Sequence, residues 1–109
     1  MKTATVRLTM DGGRPGKTAS GLAYGPFVIH PSLEEGRVWS TTYWSLTHAA
    51  TGLSADTYAP SSAAALQLAR ALVRCGANWN FRDATKWGKR SKRAAYNAVL
   101  RWRKEQPSA

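Results

Sequence analysis

A chain of 109 residues that is 43% apolar, with eleven aromatic side chains of which five are Trp, can bury one core, and this composition excludes a wholly disordered chain. The formal net charge of +10 is unevenly placed: residues 1–69 carry five Lys/Arg against four acids, whereas residues 70–109 carry eleven against two, a net of +9. Charge gathered at one end of a small domain points to an anionic partner, nucleic acid first among them, although a solvated surface would carry it as well.

In chain order, residues 4–10 alternate, with Val6, Leu8 and Met10 on one face and Thr5, Arg7 and Thr9 on the other, which predicts a half-buried strand. Residues 11–26 hold five glycines and two prolines and are expected to form a loop or turns. Phe27-Val28-Ile29-His30 is a short apolar strand, expected to end at Pro31. Residues 37–48 are rich in Thr, Trp, Tyr and Val and favour strand, with Thr42, Trp44, Leu46 and His48 on one face and Thr41, Tyr43, Ser45 and Thr47 on the other. Ala49–Gly52 is a tight connection, and residues 53–59 are expected to return as a further strand that ends at Pro60.

The period then changes to that of a helix. Ser61 or Ser62 caps a segment over 62–75 in which Ala65, Leu66, Ala69, Leu72 and Val73 recur at helical spacing, with Gln67, Arg70 and Arg74 on another face and Gly76 as the stop. Residues 77–90 place Trp79, Phe81 and Trp87 among Asn, Arg and Lys and read as a packed irregular connection. A second helix is predicted after Ser91, over about 92–104, with Ala95, Ala98, Val99 and Trp102 as its apolar stripe. Strands followed by helices make an α+β pattern: one basic domain over 1–109, with an antiparallel sheet of three or four strands and two helices packed on it.

Few residues suit catalysis or metal binding. Asp11-Gly12-Gly13-Arg14-Pro15-Gly16-Lys17-Thr18 resembles a phosphate-binding P-loop, but Asp11 stands where the first glycine belongs and Ala19–Pro26 is too broken for the helix that loop requires. One Cys and two His, His30 and His48, with six acids in the chain, do not compose a usual zinc site. Cys75 at a helix C-terminus reads as a small buried hydrophobe, and Glu34-Glu35 beside Gly36 as solvated charge in a turn. No cofactor, metal or catalytic residue is therefore assigned. A single cysteine allows no internal disulfide, and Met1–Met10 lacks the apolar run of a signal peptide, so a cytoplasmic location without a membrane partner is expected.

The strongest motif is Lys86-Trp87-Gly88-Lys89-Arg90-Ser91-Lys92-Arg93, in which five of eight residues are cationic. Cations at a helix N-terminus oppose its dipole, and a phosphate placed among them reverses that cost and meets free N–H groups and the Ser91 hydroxyl. Arg70 and Arg74, one turn apart, and Arg101 near the chain end extend the patch if the helices pack side by side. Trp87 inside the run, and Tyr43 on the sheet, suit base stacking, although for Trp87 anchoring the connection is the favoured reading. Trp44, Trp79 and Trp102 are expected in the core.

The segment Ser91-Lys92-Arg93-Ala94-Ala95-Tyr96-Asn97-Ala98 resembles the start of the last helix of double-stranded-RNA-binding domains, which implies phosphate contacts for Lys92 and Arg93. That family places three strands between its two helices, and Gly76–Arg90 leaves no room for them. Trp44–Gly52, followed by a strand and an Ala/Leu-rich helix, resembles small accessory proteins of phages and other mobile elements, anti-CRISPR inhibitors among them, which implies a host-directed role. The expected function is non-catalytic binding of nucleic-acid phosphates, with no preference assigned among DNA, RNA, single strand or duplex. The alternative is an inhibitor or adaptor that docks its basic face on an acidic or nucleoprotein partner. A small nuclease or transferase would need His30, His48 and an acid to converge. Trp39, Tyr43 and Trp44 cannot all point inward, so one sheet side is a candidate dimer or partner surface.

Overall fold

The protein, represented by a computed structural model, is described over residues 2–35, 37–55 and 58–106. Four antiparallel strands, β1 (Thr3–Thr9), β2 (Pro15–Tyr24), β3 (Phe27–Glu34) and β4 (Val38–His48), lie in the sheet order β1-β2-β3-β4 and are followed by helices α1 (Ser62–Arg74) and α2 (Lys89–Glu105). This is the expected α+β order, although the fourth strand is not the expected one.

The loop expected over 11–26 is mostly strand. Only Asp11–Gly13 forms a turn of 3-10 helix, and β2 begins at Pro15, a strand-start position that tolerates the missing N–H. Its Gly and Pro residues serve a bent, closely packed ribbon. A Cβ on Gly21 would lie 1.8 Å from the Ile29 carbonyl oxygen, so β2 and β3 approach here as only glycine permits. Gly25 has φ 52° in the two-residue turn between the paired Tyr24 and Phe27, the positive φ that such hairpins need at their first turn position.

Nor does β3 stop at Pro31. Its last partner in β2 is Ile29 with Leu22, and its register with β4 shifts between Pro31 and Leu33, an irregularity at which proline costs no regular ladder bond. Of the strand expected over 53–59, residues 56 and 57 lie outside the described residues, and the described remainder joins β4 through isolated bridges and not as a named strand. It runs antiparallel to β4 through the bridges Thr47↔Ser54 and Trp44↔Ala59, with the Ala55 N–H donating to the Leu46 carbonyl.

Alternation along β3 and β4 divides their side chains between two layers. Phe27, Ile29 and Leu46 meet Leu68, Ala69 and Leu72 of α1 and Ala95, Ala98 and Trp102 of α2, with Trp44 and Trp79 half-buried against this core. On the opposite face, Val28 packs with Val6, Leu8 and Ala19 of the β1–β2 ribbon. The end of β1 is fastened there, since the Thr9 N–H donates to the Gly52 carbonyl at 2.8 Å and the Thr9 hydroxyl to the Thr51 carbonyl at 2.7 Å. The sheet is therefore covered on both sides, and Phe27 through His30 are all buried.

The Ser61 hydroxyl caps α1 by accepting from the Ala64 N–H, and Gly76 follows the C-cap Cys75 in left-handed backbone. The helices run antiparallel. The Trp102 indole N–H donates to the Ala64 carbonyl and ties the end of α2 to the start of α1, while the Asn78 N–H donates to the Ser91 hydroxyl at the other end. α2 starts at Lys89 behind Gly88, ahead of the start expected after Ser91.

Between the ribbon and β4 lies a buried polar ladder. The His30 Nδ1–H donates to the Pro31 carbonyl at 2.8 Å, which leaves Nε2 to accept from the Thr47 hydroxyl at 2.6 Å. Thr47 in turn pairs with Ser54 at 2.8 Å, and Ser32 with Ser45 at 2.7 Å. Both nitrogens of His30 are thus satisfied in the neutral ring. Burial pushes its pKa below the ordinary value, and the Pro31 bond opposes that shift without cancelling it.

Gly21→Ala must force the Leu22–Ile29 pairing apart and is expected to cost about 3 kcal/mol or more in urea unfolding, whereas Gly25→Ala, strained mainly in φ, should cost about 1–2 kcal/mol. Equal losses would contradict the close approach at Gly21. For His30, the unfolded ring takes up a proton as pH falls through about 6.5 while the folded ring resists it. The stability it contributes is therefore full above that pH and lost below it, with a slope of at most about 1.4 kcal/mol per pH unit. Urea midpoints between pH 7.5 and 5 should fall more steeply for the wild type than for His30→Asn; parallel slopes would show that His30 does not titrate in this way.

Candidate functional site

α2 is mostly cationic where it meets solvent, with Tyr96, Asn97 and Glu105 the other exposed residues. Its buried residues are Ala95, Ala98 and Trp102, and the rest of the helix circumference exposes Lys89, Arg90, Lys92, Arg93, Arg101, Arg103 and Lys104. Lys86 lies just before it on a turn of 3-10 helix, and Arg70 and Arg74 are exposed on α1. The antiparallel pairing brings part of the expected patch together: Arg74 and Arg101 line one groove between the helices, with Gln67 and Glu105. At 1.5 Å per residue, the cations from Lys89 to Arg101 span about 18 Å of helix. Among the described residues, Arg70, Arg74, Lys86, Lys89, Arg90, Lys92, Arg93 and Arg101 make no side-chain hydrogen bond or ion pair.

The start of α2 is electrostatically unfavourable as it stands. Gly88 offers no side-chain cap, the first turn has no acid, and the first intrahelical bond runs from the Lys92 N–H to the Gly88 carbonyl. The preceding N–H groups are left facing the same end as Lys89 and Arg90, which is unfavourable by roughly 0.3–1 kcal/mol per cation. Ser91 lies inside α2 and is not its cap; it is half-buried, and its hydroxyl accepts the Asn78 N–H at 2.9 Å, which leaves the O–H to donate. The sole carboxylate of the connection, Asp83, is engaged locally. Its Oδ1 accepts from the Thr85 hydroxyl and N–H, which holds its pKa below the usual value.

Trp87 is committed on one side to the connection. Its indole N–H donates to the Asn78 carbonyl at 2.7 Å, and its ring stacks on Phe81 at 4.9 Å and lies 4.9 Å from Trp79. Phe81 stacks in turn on His48 at 4.6 Å. His48 Nε2–H donates to the Trp79 carbonyl, and its Nδ1 accepts from the Thr51 hydroxyl, so that the turn after β4 and the connection are joined. These rings form the wall of a cavity of about 380 Å³ whose other sides include Thr51, Leu53–Ala55, Ala84 and the α2 residues Tyr96, Val99 and Arg103. Sequence reading missed this cavity, although Lys92, Tyr96, Val99 and Arg103 recur on one helical stripe, which was its visible trace.

A larger cavity, about 660 Å³, opens on the other side of the sheet between Leu8–Gly13 and Leu53–Ala55, with His30 and Ser45 lining it. Asp11 is its one charged lining residue among those described, so it does not suit an anion. The P-loop-like run ends here as a ribbon turn leading into β2, with no helix behind it. His30 and His48 occupy opposite faces of the sheet and do not converge, and no three described His, Cys, Asp or Glu residues form a metal-binding group. Of the three neighbouring aromatics of β4, Trp44 faces the helices, Trp39 packs under the ribbon, and Tyr43 is exposed beside Tyr58. No described helix is long and apolar enough to cross a membrane. No family model matches the chain, and no curated protein or solved structure is significantly similar to it.

Proposed function

We propose that this protein binds nucleic acid non-catalytically, through backbone phosphates held by the exposed face of the α1–α2 hairpin. The observation that carries this reading is the set of exposed cations Arg70, Arg74, Lys86, Lys89, Arg90, Lys92, Arg93 and Arg101, none paired with a carboxylate among the described residues. Like charges within reach of one another cost free energy in the free protein, and a phosphate chain converts that cost into attraction while releasing counterions. The unsatisfied start of α2 supports the same partner, because a phosphate there meets both N–H groups and the positive end of the dipole. Base-edge readout is not implied by a face of Lys and Arg on this scale, so weak sequence preference is expected.

Fluorescence anisotropy with labelled duplex DNA, single-stranded DNA and duplex RNA, titrated across a salt series, tests the reading. The expected log–log slope is about −3 to −6, several phosphates at close to one unit each. Changing Lys89, Arg90, Lys92 and Arg93 together to Glu should abolish binding. Acids in the first turn of α2 improve its dipole interaction, so circular dichroism should show the helix intact and the loss assigned to charge. If none of the three nucleic acids binds at low salt, the reading is wrong and the basic face belongs to an acidic protein partner.

A further inference from the structure

We infer that the 380 Å³ aromatic cavity receives an unstacked base of single-stranded nucleic acid while the neighbouring cations hold the phosphates on either side of it. This rests on the phosphate-binding reading above and adds to it a second point of contact and a choice of strand form.

The cavity opens beside the basic run. One wall is Trp87, which lies within the run Lys86–Arg93, and the opposite side is the α2 stripe on which Lys92 precedes Tyr96 by one turn. Arg103 borders the cavity one turn beyond Val99. A backbone following the cations of α2 therefore passes the opening. Interleaved aromatic and cationic groups are what a single strand needs, since every base offers a π-face and every linkage a charge. A duplex keeps its bases stacked and can use only the cations.

Trp79, Phe81 and Trp87 are packed on one another at 4.9–6.5 Å, and Trp79 and Trp87 are each held by an indole hydrogen bond, to the Leu72 and Asn78 carbonyls. The walls are thus set before a ligand arrives, which lowers the ordering cost of binding. Tyr96 is a large aromatic ring left 61% exposed on a helix, and it lines the cavity. At about 380 Å³ the volume is near the small end for ligand pockets and accommodates one base rather than a stacked run.

The test compares dT12 with a dodecamer of the same phosphate number in which every base is replaced by an abasic tetrahydrofuran. The expected result is roughly ten-fold or greater weakening for the abasic strand, together with quenching of tryptophan fluorescence by dT12 alone. Tyr96→Ala, at an exposed helical position, should remove much of that preference and leave abasic binding unchanged, and Tyr96→Trp should restore it. Equal binding of the two strands by the wild type overturns the cavity inference and leaves the phosphate reading standing. Binding of neither strand at low salt overturns both.

Discussion

The contact between Gly21 and the Ile29 carbonyl is the point on which the rest of the architecture depends. A flat sheet of these four strands would have one face for the helices and one face for water. Because β2 can press against β3 at Gly21, the β1–β2 ribbon turns across the outer face, and Thr9 reaches Gly52 beyond the end of β4. This closure buries Val6, Leu8 and Ala19 against Val28 and gives a chain of 109 residues a second, smaller core. Small domains are limited by the area they can bury, so covering both sheet faces matters more here than it would in a larger protein.

Closure also explains why so many polar groups sit inside. His30, Ser32, Ser45 and Thr47 belong to the face the ribbon covers, and each would cost free energy there if unpaired. They are bonded to one another, to Ser54 or to the Pro31 carbonyl, and among the described residues no buried side-chain N or O lacks a partner. The ladder crosses from β3 to β4 and on to the 53–55 edge. It therefore adds a side-chain link to the Thr47–Ser54 bridge that sets this edge against β4. A histidine that looks catalytic in isolation is accounted for as a neutral link in this ladder.

The helical half was legible in the sequence because its signals are local. Ser61, the apolar spacing from Ala65 to Leu72 and Gly76 each report on their own neighbourhood, and the structure uses all three. The alternation over Thr42–His48 was equally readable and places Trp44 and Leu46 on the helix side as expected. β2 was hidden because its glycines answer to a partner strand: the need for Gly21 arises only once Ile29 is beside it. The 53–59 segment looked like a strand since its side chains suit one, and its described residues do lie along β4, though as the isolated bridges Thr47↔Ser54 and Trp44↔Ala59. At the candidate site, the cations were visible as a charge count, whereas the cavity was not, because His48, Phe81 and Tyr96 come from three separate parts of the chain.

The two halves divide the work in a way that lets the charge be tolerated. α2 needs only a narrow apolar stripe, Ala95, Ala98 and Trp102, to hold its place, and two of those three residues are small enough for close approach to α1. Anchoring by one large side chain, with its indole bonded to Ala64, frees most of the helix circumference for Lys and Arg. The unfavourable start of α2 is held down from outside, by Asn78 on Ser91 and by the stacked rings of the connection, rather than by a cap of its own. Stability supplied by packing therefore offsets electrostatic strain concentrated at one end of the molecule. Such an arrangement has a physical rationale when a partner of opposite charge relieves the strain on binding, since the free energy stored in like-charge repulsion is then returned at the interface.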